Sequence, residues 1–154
     1  MRKSKVMVFL MVMMLILTAC RQAEETQGQE IEWTIEIQLA DGKDVAFTNL
    51  DMETIGLSDY VAERKNKEEM EEKQLTGVTF DQLLEHIGVE GYGMATVEAV
   101  DGYSREYVPE MLEGDGAILA IKVDGKDAEP IEFAVDGKGS NWWIKQVAKI
   151  VISD

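Results

Sequence analysis

The chain has 154 residues, with 30 acidic against 15 basic side chains, one His and one Cys, and a formal charge of −15 at neutral pH. That length suits a single folding unit. So acidic a chain is repelled by nucleic acid, whose phosphates are bound by clustered Lys and Arg. A lone Cys excludes an internal disulfide framework and every Cys-based zinc motif, and a lone His excludes a His-rich metal site.

Met1 to Ala19 reads as a leader. Arg2, Lys3 and Lys5 make a positive start, and Val6 to Leu17 is an unbroken apolar run of twelve residues. A helix of that length spans about 18 Å, well short of the roughly 30 Å of hydrocarbon in a bilayer. A short apolar core after a basic start is a secretory signal. Leu17-Thr18-Ala19-Cys20 resembles the bacterial lipobox, in which the Cys is diacylated and becomes the new N-terminus. Two acyl chains hold a protein on the bilayer where one does not. Cys20 is therefore the expected lipidation site, and the protein is expected on the cell membrane, facing outside the cytoplasm. Loss of the leader leaves 12 basic against 30 acidic residues, a charge of −18, which keeps the domain off anionic headgroups and leaves the anchoring to lipid.

Arg21 to Glu30 is polar and lacks apolar periodicity, as a flexible tether would (20–30 with the lipidated Cys), and 31–154 is the folded domain. Ile31, Trp33, Ile35, Ile37 and Leu39 alternate as a half-buried strand does. Asp41-Gly42-Lys43 predicts a tight turn into a second strand through Val45 and Phe47. Leu50 to Leu57 fits a short helix closed by Ser58-Asp59, and Tyr60 to Lys65 a strand. Asn66 to Lys73 is almost wholly charged. Lys65/Glu69, Lys67/Glu71 and Glu69/Lys73 are spaced for a solvated helical turn, and a hairpin loop fits equally well.

Asp81 to Gly88 predicts a helix with Leu83, Leu84 and Ile87 on one face and Gly88 at its stop. His86 falls on its surface. Met94 to Val100 and Arg105 to Val108 pair across Asp101-Gly102-Tyr103. Ala117 to Val123, Ile131 to Val135 and Trp143 to Ile152 supply further strands. The three Asp-Gly-Lys triplets at 41–43, 124–126 and 136–138 lack the spacing of a calcium loop and read as hairpin corners. The sum is a β-rich α+β domain of about 120 residues, with some eight strands and two short helices.

Four segments carry a family resemblance. Leu75-Thr76-Gly77-Val78-Thr79-Phe80-Asp81-Gln82-Leu83-Leu84 with Gly88-Val89, then Val97 to Tyr103, Ala117 to Ala120 with Val123 to Lys126, and finally Trp142 to Asp154, follow one another in order. Together they resemble the oxidoreductase molybdopterin-binding domain, the sulfite-oxidase-type fold, over about Phe47 to Asp154. In catalytic members a Cys thiolate binds molybdenum from a loop just after the strand corresponding to Tyr60–Lys65. Here Glu63-Arg64-Lys65-Asn66 stands there, and no Cys follows position 20. Neither Glu nor Lys replaces a thiolate on a soft metal. The cofactor is also anionic and needs Arg forks, whereas beyond the leader there are only Arg21, Arg64 and Arg105. The resemblance thus implies the fold without a molybdenum ligand, and molybdopterin is not an expected cofactor.

The leading expectation is a membrane-anchored, non-catalytic domain that binds a small ligand or an extracytoplasmic protein partner. Its candidate pocket comprises Tyr103, Trp142 and Trp143 with Asn141 and Arg105, together with Arg64 and Lys65, beside a Gly137-Lys138-Gly139-Ser140 loop where a ligand could approach backbone. The opposing reading makes Trp142 and Trp143 alternate across the last strand, one in the core and one at its rim. Two alternatives stand. One is a molybdopterin-dependent oxidoreductase, or its accessory subunit, that holds the cofactor without a thiolate, with Arg64 and Lys65 as the replacing residues. The other is a structural envelope lipoprotein whose acidic surface confers only solubility.

Overall fold

The computed structural model describes residues 28–154; the leader, Cys20 and most of the tether lie outside the described residues. In chain order these residues form β1 (Thr34–Gln38), β2 (Asp44–Thr48), α1 (Asn49–Ile55), β3 (Ser58–Asn66), β4 (Glu69–Thr79), α2 (Phe80–Ile87), β5 (Met94–Ala99) and β6 (Ser104–Tyr107). There follow α3 (Pro109–Leu112), β7 (Ala117–Val123), β8 (Lys126–Val135), β9 (Lys138–Gly139), a 3-10 turn (Ser140–Trp142) and β10 (Val147–Ser153). The strands make two five-stranded sheets, ordered β2-β1-β10-β5-β6 and β8-β7-β4-β3-β9.

Alternation explains the first sheet. Ile35 and Ile37 of β1, Val97 of β5, and Ile150 and Ile152 of β10 turn one face inward and are buried. They meet Val78, Leu119, Ile131, Phe133 and Val135 from the second sheet, together with Phe80, Leu83 and Leu84 of α2, in one apolar core. Through it runs a chain of edge-to-face aromatics, Phe80–Phe133 at 5.7 Å, Phe133–Tyr107 at 5.2 Å and Tyr107–Trp142 at 5.8 Å between centroids. The second sheet has a smaller cluster on its other face, where Ala62, Leu75, Ile118, Ala120 and Ala134 lie under Trp143.

Helix α2 starts where its sequence says it should. The Thr79 hydroxyl accepts from the Gln82 N–H at 3.1 Å, and the Gln82 side chain accepts from the Thr79 N–H at 2.9 Å, a reciprocal cap. Gly88 ends the helix in a left-handed conformation, φ 75°. Thr79→Ala is expected to lower stability by about 1 kcal/mol in urea denaturation, by stripping one partner from this cap.

Several expectations are corrected. Among the described residues the strands number ten where some eight were expected, and the helices three where two were: β9 and α3 carry too few residues to show a period, and β4 is the charged run extended through Leu75 to Thr79. Ser58 and Asp59 open β3 instead of closing α1, and β1 starts at Thr34, with Ile31 exposed. The charged 66–73 run is not helical. β3 and β4 pair from Ser58↔Gly77 to Asn66↔Glu69, turning at Lys67 with φ 58°. The i, i+4 spacing was coincidental, since Glu71, Lys73 and Leu75 are alternate strand residues on one face. Two triplets are hairpin corners, but Asp136-Gly137-Lys138 is not. It carries the chain from β8, one margin of its sheet, to β9 at the other margin, where Gly137 N–H donates to the Glu63 carbonyl at 2.8 Å and Asp136 Oδ1 accepts from Glu63 N–H at 2.6 Å. Finally, β10 begins only at Val147. Trp142 and Trp143 precede it in and just after the 3-10 turn, so the last strand is not what separates them.

Candidate functional site

Tyr103, Arg105, Asn141 and Trp142 come together. The Asp101-Gly102 turn aims Tyr103 and β6 aims Arg105 toward the 3-10 turn. The Tyr103 hydroxyl donates to the Asn141 carbonyl at 2.8 Å. Arg105 Nε donates to that same carbonyl at 2.9 Å and to the Tyr103 hydroxyl oxygen at 3.1 Å. Its guanidinium carbon lies 4.4 Å from the centroid of the Trp142 ring, a cation–π stack. One residue inward, the Tyr107 hydroxyl donates to the Trp142 carbonyl at 2.8 Å, and burial pushes its ionisation far above the ordinary phenol range. The result is an open concavity of about 490 Å³ bounded by Thr96, Tyr103, Ser104, Arg105, Glu106 and Trp142, so one carboxylate shares it with the guanidinium. Among the described residues no carboxylate pairs with Arg105, and only its Nε is engaged. Its terminal nitrogens are left as a fork for a carboxylate or other oxyanion.

Trp143, Arg64 and Lys65 do not join this group. Trp143 turns to the smaller cluster, is 4% exposed, and donates from Nε1 to the Val135 carbonyl at 2.8 Å. Arg64 lies over it, 5.2 Å from the ring centroid, and reaches Glu71 at 3.4 Å. Lys65 is exposed in β3, between Met70 of β4 and Gly139 of β9. The expected Gly-rich ligand loop is consumed in pairing, since Lys138 and Gly139 are β9 and align with Arg64 and Lys65. His86 is on the helix surface as expected, its Nε2 3.1 Å from Asp51 Oδ1.

Glu132 carries no functional signal in the sequence. It stands inside the Ile131–Val135 run, where alternation marks it as facing solvent. Yet the Ile131–Val135 half of β8 is covered on both faces, and Glu132 is only 7% exposed, with Oε1 buried and unpartnered. Burial pushes its carboxyl above the usual carboxylate range. Lys145, Arg64 and Lys73 offset the shift in part, and Asp124 adds to it. The native state therefore holds this proton to higher pH than the unfolded chain does, so stability contributed here falls as pH rises from about 4.5 through the raised value. Glu132→Gln is expected to raise the melting temperature near neutral pH, with the gain vanishing below about pH 4, where both states are protonated. Thermal melts across pH measure this directly.

The residues after β3 do not fit a thiolate-held molybdenum. A tight hairpin replaces the expected loop, Arg64 is committed to Trp143 and Glu71, and 28–154 contains no Cys. Among the described residues no group of three or more His, Cys, Asp or Glu is placed to hold a metal ion.

No protein-family model matches the sequence, and no curated protein does. In structure the chain is similar to the sulfane dehydrogenase SoxCD from Paracoccus pantotrophus, with a TM-score of 0.67 and 19% identity over 79% of this chain and 38% of that one. At that identity the likeness is one of fold. It bears out the β-rich α+β class and the sulfite-oxidase-type architecture that the four motifs implied. The chain spans well under half the length of the protein it matches, so that protein's activity does not transfer with the fold.

Proposed function

We propose that this chain is a lipid-anchored, extracytoplasmic and non-catalytic binding domain. It receives the anionic group of a small ligand, or of a partner protein, on the Tyr103–Arg105–Asn141–Trp142 ledge. The observation that carries this reading is Arg105. It is fixed in place by a ring stack and two hydrogen bonds through Nε, yet leaves its outward nitrogens unengaged in a strongly acidic protein. A pre-organised guanidinium loses little freedom on meeting a carboxylate or oxyanion. The placement outside the cytoplasm rests on Leu17 to Cys20, and mass spectrometry of the membrane fraction should find Cys20 diacylated at the N-terminus.

Titration with acetate and sulfate, followed by tryptophan fluorescence, tests the ledge. Saturable quenching that Arg105→Gln abolishes and Arg105→Lys weakens supports it, and quenching unaffected by Arg105→Gln refutes it. The fold likeness to a dehydrogenase favours a second reading, an oxidoreductase or accessory subunit that retains molybdopterin. Molybdenum and pterin analysis of protein from a cofactor-making host separates the two: stoichiometric amounts of both select the second, and their absence removes it. The third reading, a structural envelope lipoprotein, stands if neither anion nor partner is captured.

A further inference from the structure

Away from the ledge, a concavity of about 310 Å³ lies between the first half of β8 and the segment entering β10, with Asp127, Glu129, Glu132, Lys145 and Gln146 on its walls. Its volume is at the low end for small-molecule sites. Its floor includes Glu132, more than nine-tenths buried and with an oxygen that no protein group satisfies. A buried carboxyl left this way is unfavourable on its own and normally finds a partner. Arg64 and Lys73 do not supply one, being held by Glu71 at 3.4 and 3.3 Å, with Lys73 also on Asp124 at 3.1 Å. The concavity therefore presents three carboxylates, Asp127, Glu129 and Glu132, against one ammonium, Lys145. Gln146, at its mouth, adopts φ 52°, a conformation disfavoured for a side chain of its kind.

We infer that this concavity is a second binding site, for a small zwitterion of amino-acid size, whose ammonium group is received by Glu132 and whose carboxylate is received by Lys145. The charges match in sign at both ends. Glu132, the most buried of the acids, gives the amine a hydrogen-bond acceptor in a poorly solvated place, where such a bond is strongest. Lys145 is exposed and lines the same concavity. The site is separate from the anion ledge, and neither proposal depends on the other.

The test is isothermal titration of the full-length chain in detergent with γ-aminobutyrate, n-butylammonium and butyrate at matched ionic strength. The expected order is aminobutyrate tightest, butylammonium weaker, butyrate without saturable heat. Glu132→Gln should weaken aminobutyrate about tenfold or more while the protein melts no earlier than wild type. Lys145→Gln should reduce aminobutyrate to the level of butylammonium. Butyrate binding as well as aminobutyrate, butylammonium binding the tighter of the two amines, or unchanged affinity in Glu132→Gln would each overturn the site. So would the absence of saturable heat from all three probes, which would leave the Glu132 oxygen to water alone. The ligand comparison on wild-type protein decides the matter even if a variant fails to fold.

Discussion

Trp143→Ala is expected to lower the unfolding free energy by about 3–5 kcal/mol, the range for removing a large buried ring. Three contributions disappear together: the packing against Ala62, Leu75 and Ala134, the indole hydrogen bond to Val135, and the ring beneath Arg64. Trp142→Ala should be far milder, about 1–2 kcal/mol, since that ring is half-buried and its main partners are Tyr107 and Arg105. It should instead weaken anion binding at the ledge. Urea denaturation and the fluorescence titration, run on both variants, read the two effects separately. Equal losses of stability with unchanged binding would make both tryptophans structural and remove the ledge as a site.

Gly77→Ala should be as damaging, although it adds only a methyl group. Gly77 lies in β4 where the pairing with β7 shifts register between Thr76 and Gly77. A Cβ there would collide with the Leu119 carbonyl oxygen and stand 2.8 Å from the Leu119 carbonyl carbon and 2.9 Å from Ala120 Cα. All three atoms are backbone, so no rotamer change relieves the clash, and the two central strands must part. A loss of roughly 3 kcal/mol, at the upper end for overpacking, is expected in thermal or urea denaturation. A near-neutral Gly77→Ala would show that the bulge can slide. The same contact gives a physical reason for the glycine in the Thr76-Gly77-Val78 motif, which from sequence alone was only a letter in a pattern.

Where a segment's own residues decide its state, the sequence was readable. The first hairpin follows from alternation and an Asp-Gly turn, and α2 from a cap, an apolar face and a terminal glycine. What escaped is decided by neighbours. Glu69 to Lys73 have charge spacing that suits a helix, but partners in β3 and at Asp124 make them a strand. Asp136 to Gly139 looked like another corner because nothing local reveals a parallel partner more than seventy residues earlier in β3. Tyr103, Arg105, Asn141 and Trp142, grouped from sequence by residue type, do lie together in the fold. Trp143, Arg64 and Lys65 were grouped by adjacency or by family position, and adjacent residues at a 3-10 turn point to different places. Glu132 was invisible because alternation assigns a face and does not say whether another layer covers it.

The position of β10 has a bearing on timing. It sits at the centre of the first sheet, paired in parallel with β1 through Glu36↔Lys149 and antiparallel with β5 through Ile150↔Val97. Until Val147–Ser153 has been made, the sheet is two separate hairpins with no strand between them. A topology of such distant pairings folds slowly and late. The first sheet cannot close before β10 exists, and until then β1 and β5 each keep one edge of unpaired N–H and C=O groups.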